Sequence, residues 1–404
     1  MVDKNNVPQI RISCFAKEWN NTLLSHYLET SKAKNSDESF TKEDVLSVSG
    51  EVGVVNQMEY QGKSFAGASL TNYGVVLTDD VVYTKSPLRY QPYGIIKTNR
   101  GDPGIVSALY AVYHPKENVY APFVQTYFNL DKRLNEYLLP LISKGAKNTI
   151  NVGDEAALLG AVYFPECDEQ RAITNIFSNL ENLIVQSQAK LEKMQHIRLS
   201  MLERMFPKGN EVVPKVRFKE FSGSWEKHKV GDFLTESRII GNTGLTAKKL
   251  TVKLWGKGVV EKSDAYGGSA HTQYYIRKAG QFMYGKLDFL HAAFGIVPDS
   301  LDGYESTLDS PAFDLSGIDG RFLLNTVIQE NFYLKNGMIA NGSRKAKRIH
   351  ADTFLEMDIL VPDIEEQKKI GDYFSQLDKQ ICFAQLEIDK LQKLKKALLE
   401  KMFV

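Results

Sequence analysis

Residues 165–206 align with residues 362–403 without a gap, and fifteen of the 42 positions are identical. A repeat of this kind constrains the fold more than any composition does, because whatever one half builds the other half builds again. The matches include Pro165/Pro362, Glu169/Glu366, Gln170/Gln367, Ile173/Ile370, Phe177/Phe374, Leu180/Leu377, Lys193/Lys390, Glu203/Glu400, Met205/Met402 and Phe206/Phe403. The halves also open alike, since Pro8-x-x-Arg11-x-x-x-Phe15-x-x-x-Trp19 returns as Pro214-x-x-Arg217-x-x-x-Phe221-x-x-x-Trp225. The offset is 206 at the openings and 197 at the ends, so the first half is nine residues longer in between. Within that interval Tyr73, Tyr83-x-Lys85 and Gly94-Ile95 match Tyr274, Tyr284-x-Lys286 and Gly295-Ile296. Gly104-x-x-Ser107 matches Gly303-x-x-Ser306, and Gly145-x-Lys147 matches Gly342-x-Arg344.

The repeated end segments carry a heptad seam. In the first copy it runs Phe177, Leu180, Ile184, Ser187, Leu191, Met194, Arg198, Met201, Met205; in the second, Phe374, Leu377, Ile381, Ala384, Ile388, Leu391, Lys395, Leu398, Met402. Pro165 and Pro362 fix the entries, and acidic residues crowd each first turn, where they complement the helix dipole. Each segment can run about 40 residues, roughly 60 Å, without a break. A lone heptad helix leaves its seam wet, so the two copies are expected to bury it on each other; packed antiparallel, they would form a central rod with a domain at either end. The intervals ahead of them read as short strands and short helices. Strands are expected at Val52–Val55, Gly74–Leu77, Val81–Tyr83, Gly94–Ile96 and Ala108–Val112, and a helix from Pro122 to Leu139. The second interval gives strands at Tyr274–Arg277, Gln281–Tyr284 and Ala293–Val297, and a helix at Phe322–Glu330. The fold class is therefore α+β with a pseudo-twofold internal repeat. Its expected parts are a globular domain over 1–162, a helix over 163–210, a second globular domain over 211–361 and a second helix over 362–404.

Composition narrows the function only a little. The chain of 404 residues has a net charge of +1, and residues 1–160 hold 16 basic against 17 acidic side chains, residues 211–360 20 against 18. A phosphate-binding surface, if one exists, is local. Met1 to Ser13 are polar and no apolar run approaches a membrane span, which leads to the expectation of a cytoplasmic location. Cys14, Cys167 and Cys382 fit neither a disulfide framework nor a zinc site, and Cys167 and Cys382 are expected to pack among apolar neighbours. No metal spacing is visible among the seven histidines. Gly62-Lys63-Ser64 lacks the first glycine and the leading strand of a phosphate loop. The acidic groups after Pro362 lie at a helix start, not on separate strands as a nuclease requires. No catalytic residue is assigned, and the chain is read as a non-enzyme.

Taken together, the Pro-x-x-Arg opening that ends in Trp, Gly-Ile after Tyr-x-Lys, and Leu-Val-Pro-x-x-x-Glu-Gln-Lys-Lys-Ile at Leu360–Ile370 resemble the type I restriction-modification specificity subunits over essentially the whole chain. The first copy departs slightly, reading Tyr163-Phe164-Pro165 and Arg171-Ala172-Ile173. The resemblance implies two target-recognition domains, each reading one half of an interrupted asymmetric site on double-stranded DNA, joined by an antiparallel coiled coil. It implies two methyltransferase subunits as partners, with restriction subunits added to that core. S-adenosylmethionine, ATP and Mg are implied in those partners and no cofactor in this chain.

On that reading, positions shared between the halves hold the fold or the DNA backbone, and unshared loop residues read bases. Tyr83, Lys85, Lys144, Lys147, Tyr284 and Lys286 belong to the shared set, with the basic run Arg344, Lys345, Lys347, Arg348. Arg89, Asn99, Arg100, Lys249, Lys253 and Lys257 are candidates of the second kind. Phe177, Leu180, Ile184, Leu191, Met194, Phe374, Leu377, Ile381, Ile388 and Leu391 form the spacer seam. Met205, Phe206, Met402 and Phe403 offer equivalent apolar sites for docking two identical methyltransferase subunits. The residues alone leave a rival open, a coiled-coil scaffold with two protein-binding modules and no DNA role, which near-zero net charge allows.

Overall fold

The computed structural model describes residues 6–88, 91–144, 150–263, 269–338 and 348–404, without the side chains of Ser143, Lys144, Ile150 and Asn151. The chain forms two compact units, Met1–Ser187 with Glu387–Val404, and Gln188–Leu386. Each unit thus owns the start of one long helix and the end of the other.

The first unit contains β1 (Asn20–Leu23), β2 (Leu28–Thr30), β3 (Leu46–Ser49), β4 (Gly53–Asn56), α1 (Gln57–Gln61), β5 (Gly74–Val76), β6 (Val81–Thr84), β7 (Ile95–Thr98), β8 (Gly104–Val106) and β9 (Tyr110–Pro115). Helices α2 (Ala121–Phe128) and α3 (Asp131–Leu138), strands β10 (Ser143–Lys144), β11 (Ile150–Asn151) and β12 (Ala161–Phe164), and the start of α4 (Cys167–Arg204) follow. The main sheet is antiparallel in the order β2-β9-β6-β7, flanked by the pairs β1–β12, β3–β4 and β5–β8. Period-2 geometry explains why β6 is buried throughout. Val81 and Tyr83 point into the large core with Trp19, Phe123 and Phe164, while Val82 points to a small core with Leu46, Val76 and Val106. The single helix expected from Pro122 to Leu139 is two helices, because Leu130 takes an extended backbone (φ −89°, ψ 111°) and opens α3.

The second unit repeats this plan. It contains β13 (Glu226–Lys229), β14 (Leu234–Ser237), β15 (Ile240–Thr243), β16 (Leu250–Val252), β17 (Val259–Glu261), β18 (Gln273–Ile276), β19 (Phe282–Tyr284), β20 (Phe294–Ile296), β21 (Glu305–Ser306) and β22 (Ala312–Leu315). Then come α5 (Gly320–Val327), α6 (Glu330–Gly337), α7 (Ala351–Leu355), β23 (Asp358–Val361) and α8 (Ile364–Lys401), whose end belongs to the first unit. The sheet order β14-β22-β19-β20 mirrors that of the first unit. Phe282 and Tyr284 face the large core and Met283 the small one. One repeat seen in the sequence is not a structural equivalence. Gly94 precedes β7 at φ +87°, where an added Cβ would meet the Thr84 carbonyl, whereas Gly295 lies inside β20 opposite Met283.

The opening motif shared by the two halves is a brace. In the first unit the backbone amide of Ile10 donates to the carbonyl of Lys401 at the end of α8 (2.9 Å), one of the carbonyls a helix end leaves unpaired. Next to it Arg11 grips Glu169, at the start of α4, through two bonds of 2.7 Å. In the second unit Val216 donates to Arg204 at the end of α4 (2.9 Å), and Arg217 grips Glu366 at the start of α8, again at 2.7 Å twice. The Glu-Gln signature is completed by the amide side chain. Gln170 accepts from the Tyr120 amide and donates to the Pro165 carbonyl (2.8 Å each), and Gln367 does the same with Asp319 and Pro362 (2.9 Å each). Both glutamates are almost wholly buried, so the arginines neutralise charges that water no longer reaches.

The start of α4 therefore lies antiparallel to the end of α8 in the first unit, and the end of α4 to the start of α8 in the second. Phe177, Leu180, Leu191, Phe374, Ala384 and Ile388 are buried, whereas Ile184, Met194, Leu377, Ile381 and Leu391 are half-buried. The two basic positions of the seam are explained by pairing: Lys395 meets Glu181 at 2.7 Å in the first unit, and Arg198 meets Asp378 in the second. Both partners are related by the same 197-residue offset (181 to 378, 198 to 395). The expectation for the cysteines fails at Cys382, which is exposed, because its position on α8 turns away from the seam; Cys167 is half-buried. Among the described residues no helix is long and apolar enough to cross a membrane.

Candidate nucleic-acid interface

The shared tyrosines hold the fold. Tyr83 and Tyr284 are fully buried, their hydroxyls donating to the carbonyls of Tyr93 (2.7 Å) and Ile349 (2.9 Å), and burial pushes both phenols far up from their ordinary range. Direct DNA contact by these two side chains is therefore corrected. Asn99 is also buried; it bonds the carbonyls of Leu77 and Asp102 and accepts from the Gly101 amide, which organises a turn and leaves no edge for a base. Lys85 is held by Asp154 (2.8 Å). Arg100 is exposed. Lys144 lies in β10, its side chain outside the described residues, as are Arg89 and Lys147 altogether.

In the second unit Lys249 is buried, its ammonium 5.7 Å from the centre of the Tyr274 ring. Burial removes it from the candidates for base contact. Lys253 and Lys257 are exposed at the tip of the β16–β17 hairpin. Lys286 is half-buried; its amide donates to the Asp309 carbonyl (2.8 Å) and its carbonyl accepts from Ile349 (3.1 Å). Arg348 reaches the Asp309 carboxylate at 3.4 Å. The remaining members of the basic run, Arg344, Lys345 and Lys347, lie outside the described residues. Asp309 thus takes the Lys286 backbone amide on its carbonyl and the Arg348 guanidinium on its carboxylate, and Lys253 and Lys257 share one hairpin.

The four residues expected to dock methyltransferases are core residues. Phe206 stacks on Phe322 at 5.6 Å and meets Trp225 edge-on, and Phe403 meets Trp19 edge-on and tilts against Phe177 and Phe123. Met205 and Met402 are buried beside them. The heptad pattern made these pairs look like free seam ends, because the sequence does not reveal that each helix end is inserted into a β-rich domain. The exposed apolar side chains of the long helices are others, among them Val185, Leu199, Phe383 and Leu386.

Sequence reasoning missed Trp255. It stands between Lys253 and Lys257 and is 55% exposed, while Trp19 and Trp225 are 2% and 3% exposed in the cores. The available signal was the absence of any counterpart in the first half. The equivalent hairpin β3–β4, placed by the matching bridges Val45–Ile105 and Lys249–Glu305, turns through Gly50-Glu51-Val52. Gly62, read against a phosphate loop, closes the five-residue helix α1 at φ +70°. Among the described residues no group of three or more His, Cys, Asp or Glu is placed to hold a metal ion.

No protein-family model matches the chain. In sequence it is 23% identical over 258 residues to the type I restriction enzyme MjaVIII specificity subunit of Methanocaldococcus jannaschii, an alignment covering 58% of this chain and 59% of that protein. The chain thus spans about three fifths of the length of the curated relative it matches. In fold it is similar to the S subunit of a type I restriction-modification system from M. genitalium, with a TM-score of 0.59 at 12% identity over 98% of this chain and 99% of that one. A chain from a structure concerned with complex assembly and conformational transition of the type I R-M system gives 0.50 at 12% identity, over 95% and 97%. With its doubled domains and its paired long helices, the chain has the fold of that S subunit and is similar in sequence, over about three fifths of its length, to a type I restriction enzyme specificity subunit.

Proposed function

We propose that this chain is the non-catalytic subunit that gives a type I restriction-modification complex its DNA target, each β-rich domain reading one half of a bipartite asymmetric site. The observation that carries this is the doubled construction with unlike tips: brace, sheet order and long helix are each built twice, the brace from the same Arg, Glu and Gln positions, while corresponding surface hairpins carry Gly50-Glu51-Val52 in one unit and Lys253-Leu254-Trp255-Gly256-Lys257 in the other. Shared frames with different reading surfaces are what an asymmetric two-part target requires, since base edges in the major groove demand different donors and acceptors at each half. On this reading α4 and α8 set the separation of the half-sites and present exposed apolar residues to two methyltransferase subunits, with restriction subunits joining through that core. S-adenosylmethionine, ATP and Mg belong to those partners. Exposed Arg100, Lys253 and Lys257 are the described basic candidates for DNA contact, with Lys286 and Arg348 on phosphate; Arg89, Lys144, Lys147, Arg344, Lys345 and Lys347 complete the proposed set.

Sequencing DNA methylation in cells with and without this gene tests the reading. The expected outcome is loss of one methylated motif made of two unlike halves. An unaltered methylome, in cells where the chain is made and co-purifies with no methyltransferase, would favour the scaffold reading that the net charge of +1 allows.

A further inference from the structure

The β16–β17 hairpin ends in Lys253-Leu254-Trp255-Gly256-Lys257-Gly258, and its backbone is unusual. Trp255 has φ +61°, followed by Gly256 at +64° and Gly258 at +83°. A left-handed backbone is natural for glycine and rare for a bulky L residue, so Trp255 is held there by its surroundings. The holding bonds are visible. The Trp255 and Gly256 amides donate to the carbonyls of His291 and Ala292 at 2.8 Å each, and the Lys253 amide donates to Gly258 at 2.8 Å. Ala292 is itself left-handed at φ +48°, and the His291 ring stands edge-on to the indole at 5.7 Å. Gly256 has no room for a side chain, since a Cβ would lie 2.9 Å from Ile328. The tip is therefore held in place by backbone bonds, and Trp255 still stands exposed in the sequence between two exposed lysines, Lys253 and Lys257.

An indole kept out of the core at a backbone cost, flanked by lysines, is built to meet a flat apolar partner with negative charge nearby. The same turn, residues 285–293, starts beside Lys286, whose carbonyl accepts from the amide of Ile349, the chain neighbour of Arg348. Asp288, 3.8 Å from His291, is the acidic group at that turn. We infer that Trp255 is a DNA-contacting, specificity-determining residue of the second domain, its indole packing against a base or a base step while Lys253 and Lys257 hold the adjoining phosphates. The inference rests on the function proposed above and adds a contact with no equivalent in the first domain, so its effect falls on one half of the target only.

The test uses the full chain in complex with its co-purified methyltransferase subunits, and duplexes of the methylated motif with either half intact or scrambled. Trp255→Ala is expected to weaken binding roughly tenfold or more, the scale of one lost base-pair contact in a duplex site, with an unchanged salt slope. Trp255→Phe should restore most of that affinity. Replacing Lys253 and Lys257 with Ala should lower the salt slope by about two. Because the other two tryptophans are buried, the fluorescence lost between wild type and Trp255→Phe isolates this indole, and DNA should quench it. In methylome sequencing, Trp255→Ala should relax only one half of the motif. A Trp255→Ala complex that binds with wild-type affinity and keeps both halves of the motif overturns the inference while leaving the function intact. A wild-type complex that prefers no duplex overturns both.

Discussion

At the scale of single residues, Lys97 is a cation folded into the protein interior. It lies on β7, is 9% exposed, and its ammonium donates to the Asn129 side chain at 2.8 Å. Burial lowers its pKa to about 8; Glu181 and Asp131 raise it and Lys395 lowers it further. A base whose folded pKa lies below its unfolded value binds fewer protons when folded, so stability rises with pH across the window from about 8 to 10.5. Below that window the buried charge costs about 3 kcal/mol. Lys97→Met keeps the volume and removes the charge, at the loss of one hydrogen bond. It should stabilise the protein at pH 7 by about 1–3 kcal/mol. Denaturant unfolding at several pH values checks this: wild type should gain stability from pH 8 to 10 relative to the variant, and parallel profiles would refute the assignment.

At the scale of elements, the ends of the long helices behave as parts of the domains they enter. Phe403, near the end of α8, fills the core built by Trp19, Phe123, Tyr127 and Phe177, and Arg133 covers its ring while donating to the Leu399 carbonyl at 2.8 Å. Phe403→Ala is expected to destabilise the first unit by about 3–5 kcal/mol, the cost of a large cavity in a closed aromatic cluster. Thermal unfolding and limited proteolysis of the first unit measure it. A variant of unchanged stability that had merely lost its methyltransferase would restore the docking role that burial denies to this residue. The sequence showed the repeated Met-Phe pairs but not their destination, because a heptad pattern reports which helix face is apolar and not which surface covers it.

At the scale of the whole molecule, the function proposed above makes the helices a ruler. Inserting one heptad into α4 and one into α8, at points paired in the antiparallel seam, keeps the apolar face in phase and lengthens each helix by about 10 Å. The gap between the two half-sites should grow by about three base pairs, at 3.4 Å each along a strand, with both halves unchanged. Methylome sequencing of cells carrying the lengthened chain reads this directly. A motif with its original gap would show that the helices do not set the spacing.

The sequence alone determined the doubling, the α+β class and the pairing of two long helices, because repeat, heptad phase and strand alternation are local patterns that each half states independently; that Tyr83 and Tyr284 belong to the frame and not to the DNA contact was decided by their burial. It also displayed the Pro-x-x-Arg and Glu-Gln signatures without their meaning. Only the tertiary structure joined Arg11 to Glu169 and Arg217 to Glu366, residues about 150 positions apart, into two braces. Burial was likewise decided there: Asn99 and Lys249 went inside, Trp255 outside, and the Met-Phe pairs into the cores. The physical reason is that solvent exposure belongs to a surface assembled from distant segments, and no window of chain contains the neighbours that will cover it.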